Sequence, residues 1–164
     1  MRSRAVLALS WLGFVVLCNG VGFVSALAGG EPSYYQELAR PSWAPPPSVF
    51  APVWTILYTM MGTATWLVWL RARGAERRRA MTAFAVQLGL NAAWTPVFFG
   101  LHQPGLAVAV IVGVLVAVLA MLVVYARISR WAGALVVPLA LWVAFATCLN
   151  LALWWLNRPA AVAP

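Results

Sequence analysis

Gln87, Asn91, Trp94 and Phe98 recur at i, i+4, i+7 and i+11, a spacing that lays two amides and two aromatic rings along one helix face. They fall in an uncharged apolar stretch, where an amide without a partner is costly, so this face is expected to turn inward. Two roles fit it: hydrogen bonding between helices, or polar contact at the wall of a ligand cavity. Trp142, Ala146 and Asn150 make a second stripe at i, i+4 and i+8. A gap above Ala146 would admit a flat ligand against Trp142, or would let another helix approach closely. Trp54 and Tyr58 share a third face, just beyond a proline-rich segment.

Other chemistry is missing. No acid lies in an apolar stretch, and the single histidine, His102, sits in a short connector. There is no His/Cys/Asp/Glu grouping for a metal and no nucleophile with a base beside it, so neither catalytic residues nor metal ligands are expected. No intramembrane charge marks an ion or proton path. Cys18 and Cys148 both lie in apolar runs and read as inert thiols.

The elements that position these stripes are apolar runs. The chain of 164 residues is 64% hydrophobic and 9% charged, too few polar residues to cover a soluble domain. Five runs, approximately 5–28, 51–70, 80–100, 105–126 and 132–156, carry no charge, and each has the roughly 20 residues a helix needs to cross hydrocarbon. The expectation is a single all-α membrane domain, a bundle of five transmembrane helices. Trp11, Trp69 and Trp131 read as interfacial anchors, and Pro96 predicts a kink. Ser25-Ala26-Leu27-Ala28 ends the first run like a signal-peptidase site, but that run is longer than a signal core and is expected to stay as a helix.

The formal charge of +8 comes from arginines that sit between the runs, which argues for membrane topology rather than nucleic-acid binding. Nine fall on one side (Arg2, Arg4, Arg71, Arg73, Arg77, Arg78, Arg79, Arg127, Arg130) and two on the other (Arg40, Arg158). The amino terminus is therefore expected in the cytoplasm and the carboxyl terminus outside. The first loop, about Gly29 to Phe50, is the long one; it holds Glu31, Glu37, Tyr34 and Tyr35 and ends in Pro41-Ser42-Trp43-Ala44-Pro45-Pro46-Pro47. Stiffened by proline and rich in aromatics, it is expected to cap a pocket. Arg40 or loop N–H groups could meet a ligand carboxylate there. Small-residue stripes at Gly105, Ala109, Gly113, Ala117 and at Ala85, Gly89, Ala93 could bring helices together within or between protomers. Val123-Val124-Tyr125-Ala126-Arg127 fits a permissive sterol pattern and is better read as interface anchoring.

Several segments in order resemble the TspO/MBR family, which includes the tryptophan-rich sensory proteins and the mitochondrial translocator protein. They are Tyr34-Tyr35, then Arg40 through Pro46, then Val53-Trp54-Thr55-Ile56-Leu57-Tyr58, then Gln87 through Gly100, and last Pro138 through Asn150 with Trp155-Leu156-Asn157. The resemblance covers about Tyr34 to Pro159. It implies a homodimer of five-helix protomers whose first loop closes a pocket for porphyrins such as protoporphyrin IX and haem, for sterols, or for benzodiazepine-type ligands. It places the pocket on Tyr35, Trp54, Tyr58, Asn91, Trp94, Trp142, Ala146, Leu149 and Asn150. The reading of the residues adds Tyr34, Trp43 and Phe98. Two departures stand out: Tyr34 occupies a position where the family often has Trp, and Trp154 and Trp155 stand where its sterol motif has Tyr before a basic residue, which counts against sterol binding there.

The leading expectation is a multi-pass protein of a bacterial cell membrane that binds or carries tetrapyrroles in a regulatory or stress role. It would stack its ligand on Trp54 and Trp142 and hydrogen-bond it through Asn91. No resident cofactor is required, porphyrin or haem being the ligand. One alternative is light- and oxygen-dependent degradation of bound porphyrin; another is a structural or partner-regulating membrane protein with an empty pocket.

Overall fold

A computed structural model describes residues 3–29 and 33–158; Arg2, Glu31 and Pro159, named above, lie outside them. Six helices follow in order: α1 (Arg4–Ala28), α2 (Tyr34–Glu37), α3 (Phe50–Arg71, led in by a 3-10 turn at Pro47–Val49), α4 (Gly74–Thr95, continued by a π turn at Pro96–Gly100), α5 (Pro104–Ile128) and α6 (Arg130–Leu156). There is no strand among the described residues. The five long helices form a closed ring, each packed on the next in the order α1, α3, α6, α5, α4 and back to α1.

Among the described residues, four helices are long and apolar enough to cross a membrane: α1, α3 with its lead-in, α5 and α6. The chain is therefore an integral membrane protein. α4 matches them in length, but Arg77, Arg78 and Arg79 fill its first turns and Gln87 and Asn91 interrupt its middle. The apolar Val97-Phe98-Phe99 falls beyond its end, in the π turn.

That turn follows from Pro96. Proline has no N–H, so the carbonyl of Ala92, four residues earlier, loses its helical donor. Ser25 of α1 supplies one instead, its Oγ donating to Ala92 O at 2.6 Å. The expected kink is thus a π bulge, and its freed carbonyl anchors another helix. Gly29 lies against the same place, since a Cβ on it would stand 2.8 Å from Thr95 Cγ2.

α5 and α6 are joined through one residue, Ser129. Its N–H caps α5 on Tyr125 O at 2.8 Å, and its Oγ accepts from Ala132 N of α6 at 3.4 Å. The two helices then run in close contact, with Gly133 against the Ala126 backbone. α1 is the opposite case: little of it is buried in the bundle, against half of α6, so most of its surface is left outward. Trp69, expected at an interface, sits under the Arg77 guanidinium at 4.4 Å, while Trp131 is largely exposed beneath Arg130.

Candidate functional site

α1, α3 and α4 enclose a cavity of about 630 Å³. Trp54 and Tyr58, one turn apart on α3, stack with centroids 5.3 Å apart and make one aromatic wall. Asn91, Trp94 and Thr95 of α4 and Phe99 of the π turn form the facing wall. Asn19, Gly22, Phe23 and Ala26 of α1 complete the side, and Tyr35, Gln36, Pro47, Ser48 and Phe50 close one end. Gly22 lets α1 approach here: a Cβ on it would run into the Tyr58 ring, which would have to move aside.

The polar groups are sparse. Asn91 is 3% exposed, and its Nδ2 has no hydrogen-bond partner among the described residues. Gln87, one turn below, is fully buried with both amide atoms unpartnered, and the Trp142 indole N–H is unpartnered too. Buried polar atoms in proteins are nearly always satisfied, so the unpaired amide of Asn91, a residue of the cavity lining, is a donor that a small turn of the side chain would offer to a ligand acceptor.

The first loop is organised around Tyr35, which is 3% exposed. Its hydroxyl donates to Pro45 O at 3.0 Å, its ring meets Phe50 edge-on, and the Arg40 guanidinium lies over it at 5.3 Å. Burial raises the phenol pKa above its ordinary value, and the neighbouring Arg40 charge and hydrogen bond oppose that rise. Tyr34 is raised by burial and by the Glu37 carboxylate. Both phenols therefore stay neutral donors at physiological pH.

Of the residues read from the sequence, the structure brings Tyr35, Trp54, Tyr58, Asn91 and Trp94 to the cavity wall. The others stand behind it or beside it. Tyr34 stacks on His102 at 4.1 Å and meets Phe98 edge-on. Phe98 is buried and stacks against Trp94. Trp43 is half exposed and meets Phe145 edge-on. Trp142 contacts Phe50 edge-on at 6.1 Å, one ring back from the lining. Ala146 packs in the main core and Leu149 in a second cluster with Tyr35 and Phe98. Asn150 accepts from Trp94 Nε1 at 2.9 Å and donates to Pro104 O at 3.1 Å, holding Trp94 in its orientation.

The sequence reading missed Phe50, Thr55, Thr95 and Phe99, and it missed the whole lining of α1. Its signal was Asn19, a lone amide in an apolar run. It needs a partner, and it finds Thr59 Oγ1 at 3.2 Å.

Fold and site define an integral membrane protein whose helical bundle holds an aromatic cavity with an amide, Asn91, in its lining. The sequence pattern of the TspO/MBR family matches residues 14–156, and the chain belongs to that family. It is similar to the tryptophan-rich protein TspO of Chlorobaculum tepidum, 38% identical over 146 residues, which cover 86% of this chain and 91% of that one. It is 36% identical over 154 residues to the tryptophan-rich sensory protein of Cereibacter sphaeroides, covering 92% and 94%. It is 38% identical over 123 residues to the translocator protein of Homo sapiens, covering 74% and 73%.

Proposed function

We propose that this protein is a membrane receptor or carrier for a tetrapyrrole, with a regulatory or stress-related role. One observation carries the reading: an apolar cavity with a Trp54–Tyr58 wall and, in its lining, Asn91 with a buried and unpaired amide nitrogen. A volume of about 630 Å³ suits a ligand of this kind, since small-molecule sites run roughly 300–1,000 Å³. Flat aromatic walls favour a flat conjugated ring, and Arg40, exposed near the closed end, offers a guanidinium to carboxylates at the rim.

In this reading α4 and its π turn are the fifth span, and the first loop caps the cavity. Arg71, Arg73, Arg78, Arg79, Arg127 and Arg130 are exposed at one end of the bundle, which supports a cytoplasmic amino terminus. Ala85, Gly89 and Ala93 are exposed together on α4 and suit the close approach of a second protomer.

Titration with protoporphyrin IX tests the reading. Saturable quenching of tryptophan fluorescence is expected for the protein in vesicles; absence of specific quenching by any tetrapyrrole would overturn it. Asn91→Leu is expected to weaken binding about tenfold, the worth of one hydrogen bond of about 1–1.5 kcal/mol. It should leave the thermal midpoint unchanged or higher, because Nδ2 gives up no protein partner. Unchanged affinity would remove Asn91 from the site.

The stacked Trp54–Tyr58 pair favours a second reading, degradation of bound porphyrin in light and oxygen. Trp54 could pass an electron to the photoexcited ring, with Tyr58 beside it to share the resulting hole. Porphyrin absorbance that falls under illumination faster than in the protein-free control separates this from simple binding.

A further inference from the structure

Three side-chain hydrogen bonds tie α1 to α3. Trp66 Nε1 donates to Ser10 Oγ at 3.0 Å, Trp11 Nε1 to Thr63 Oγ1 at 3.0 Å, and Asn19 Nδ2 to Thr59 Oγ1 at 3.2 Å. Between them the backbones nearly touch, for a Cβ on Gly62 would lie 2.8 Å from Phe14 O. Asn19 is the last of these ties; beyond it no hydrogen bond joins α1 to α3 among the described residues. The next fixed point on α1 is Ser25, and it is bonded to α4.

α1 therefore leaves α3 for α4 over its last turns, and a wedge opens between α1 and α3. Tyr58 against Gly22 closes the bottom of the wedge. Above that contact the cavity lining is exposed on both sides: Phe23, at 66%, and Ala26 on α1, with Ala51 and Thr55 on α3. Phe23 stands five residues before the end of α1 and Thr55 five after the start of α3. That is roughly 7 Å below the helix ends at 1.5 Å per residue, among the acyl chains just under the headgroups.

The route through the first loop is held shut by contrast. Asn157, just past α6, pairs with both backbone groups of Ala39: its Oδ1 accepts from Ala39 N at 2.9 Å and its Nδ2 donates to Ala39 O at 3.0 Å. Tyr35 on Pro45 and Tyr34 on His102 fix the loop from within.

We propose that the ligand enters and leaves sideways from the hydrocarbon, through the α1–α3 wedge, with Phe23 as its lip, while the first loop stays latched by Asn157. This rests on the reading of the cavity as a site for a lipophilic ligand. The mouth is placed for an amphipathic flat molecule that lies in the leaflet, with its ring among acyl chains and its charged end at headgroup level.

Stopped-flow quenching by protoporphyrin IX preloaded in vesicles tests the route. Phe23→Ala should raise the association rate at least threefold, and Ala26→Phe, which narrows the same mouth, should lower it by a similar factor. A Phe23 side chain that only contacted the bound ligand would alter dissociation alone. Asn157→Ala should leave the association rate within twofold. If both mouth variants associate at the rate of the unaltered chain, or if Asn157→Ala accelerates association, the lateral route is wrong. If the unaltered chain shows no quenching, the ligand reading itself fails and the route with it.

Discussion

Trp54→Ala is expected to weaken protoporphyrin IX binding about a hundredfold, followed by the shift in porphyrin absorbance on binding. Trp54 stands at the cavity wall and is held flat against Tyr58. The ring face it offers a flat ligand, of order 80 Å², is worth about 2 kcal/mol at roughly 25 cal/mol per Å². Ring-on-ring geometry adds about 0.5–1 kcal/mol. The loss should exceed that of Asn91→Leu, because it removes a whole surface and leaves Tyr58 free to tilt. Trp142→Ala is the informative comparison. Trp142 is outside the cavity lining and meets it at Phe50, so a smaller effect there places the ligand on the α3 wall. An effect as large as that of Trp54→Ala would place it across Phe50 against α6.

Gly62→Leu is expected to lower the thermal midpoint in detergent by about 10 °C. The added Cβ would stand 2.8 Å from Phe14 O and 2.9 Å from Val15 Cα, both main-chain atoms of α1. A flexible side chain could yield to such a contact, but helical backbone cannot without moving as a unit. The cost belongs at the upper end of overpacking, about 3 kcal/mol, and each kcal/mol lowers the midpoint by about 2–4 °C in a chain of this length. Gly13→Leu is the control, since a Cβ there meets nothing within 4 Å. Equal midpoints for the two variants would mean that α1 does not depend on its approach to Gly62.

Much of this was legible in the residues. Amides in apolar runs must turn inward, which placed Gln87, Asn91 and Asn150 correctly inside the bundle. Their roles were harder to read. Asn150 proves to be a fastener for Trp94 and the start of α5, because periodicity gives a face but not the neighbour it meets. The contribution of α1 to the cavity was hidden for a related reason. A helix that shows lipid most of its surface is apolar all round, so its inward face leaves little trace beyond Asn19 and Gly22. Only the ring order, with α1 between α3 and α4, brings that face to the cavity. The carbonyl freed by Pro96 could be foreseen, but not that Ser25 would claim it.

The single-residue elbow at Ser129 has a consequence for how the chain tolerates change in length. Each helical residue turns the helix by about 100°, and Ser129 caps both neighbours at once, so the joint carries no slack. One inserted residue there would spin α6 about its own axis. Asn150 and Leu153 would swing out to the exposed positions of Leu151 and Trp154, while Cys148 and Ala152 swung in to the buried positions of Leu149 and Leu153. The phase of α6, and with it the fastening of Trp94, is set by counting residues at this corner, whatever their chemistry.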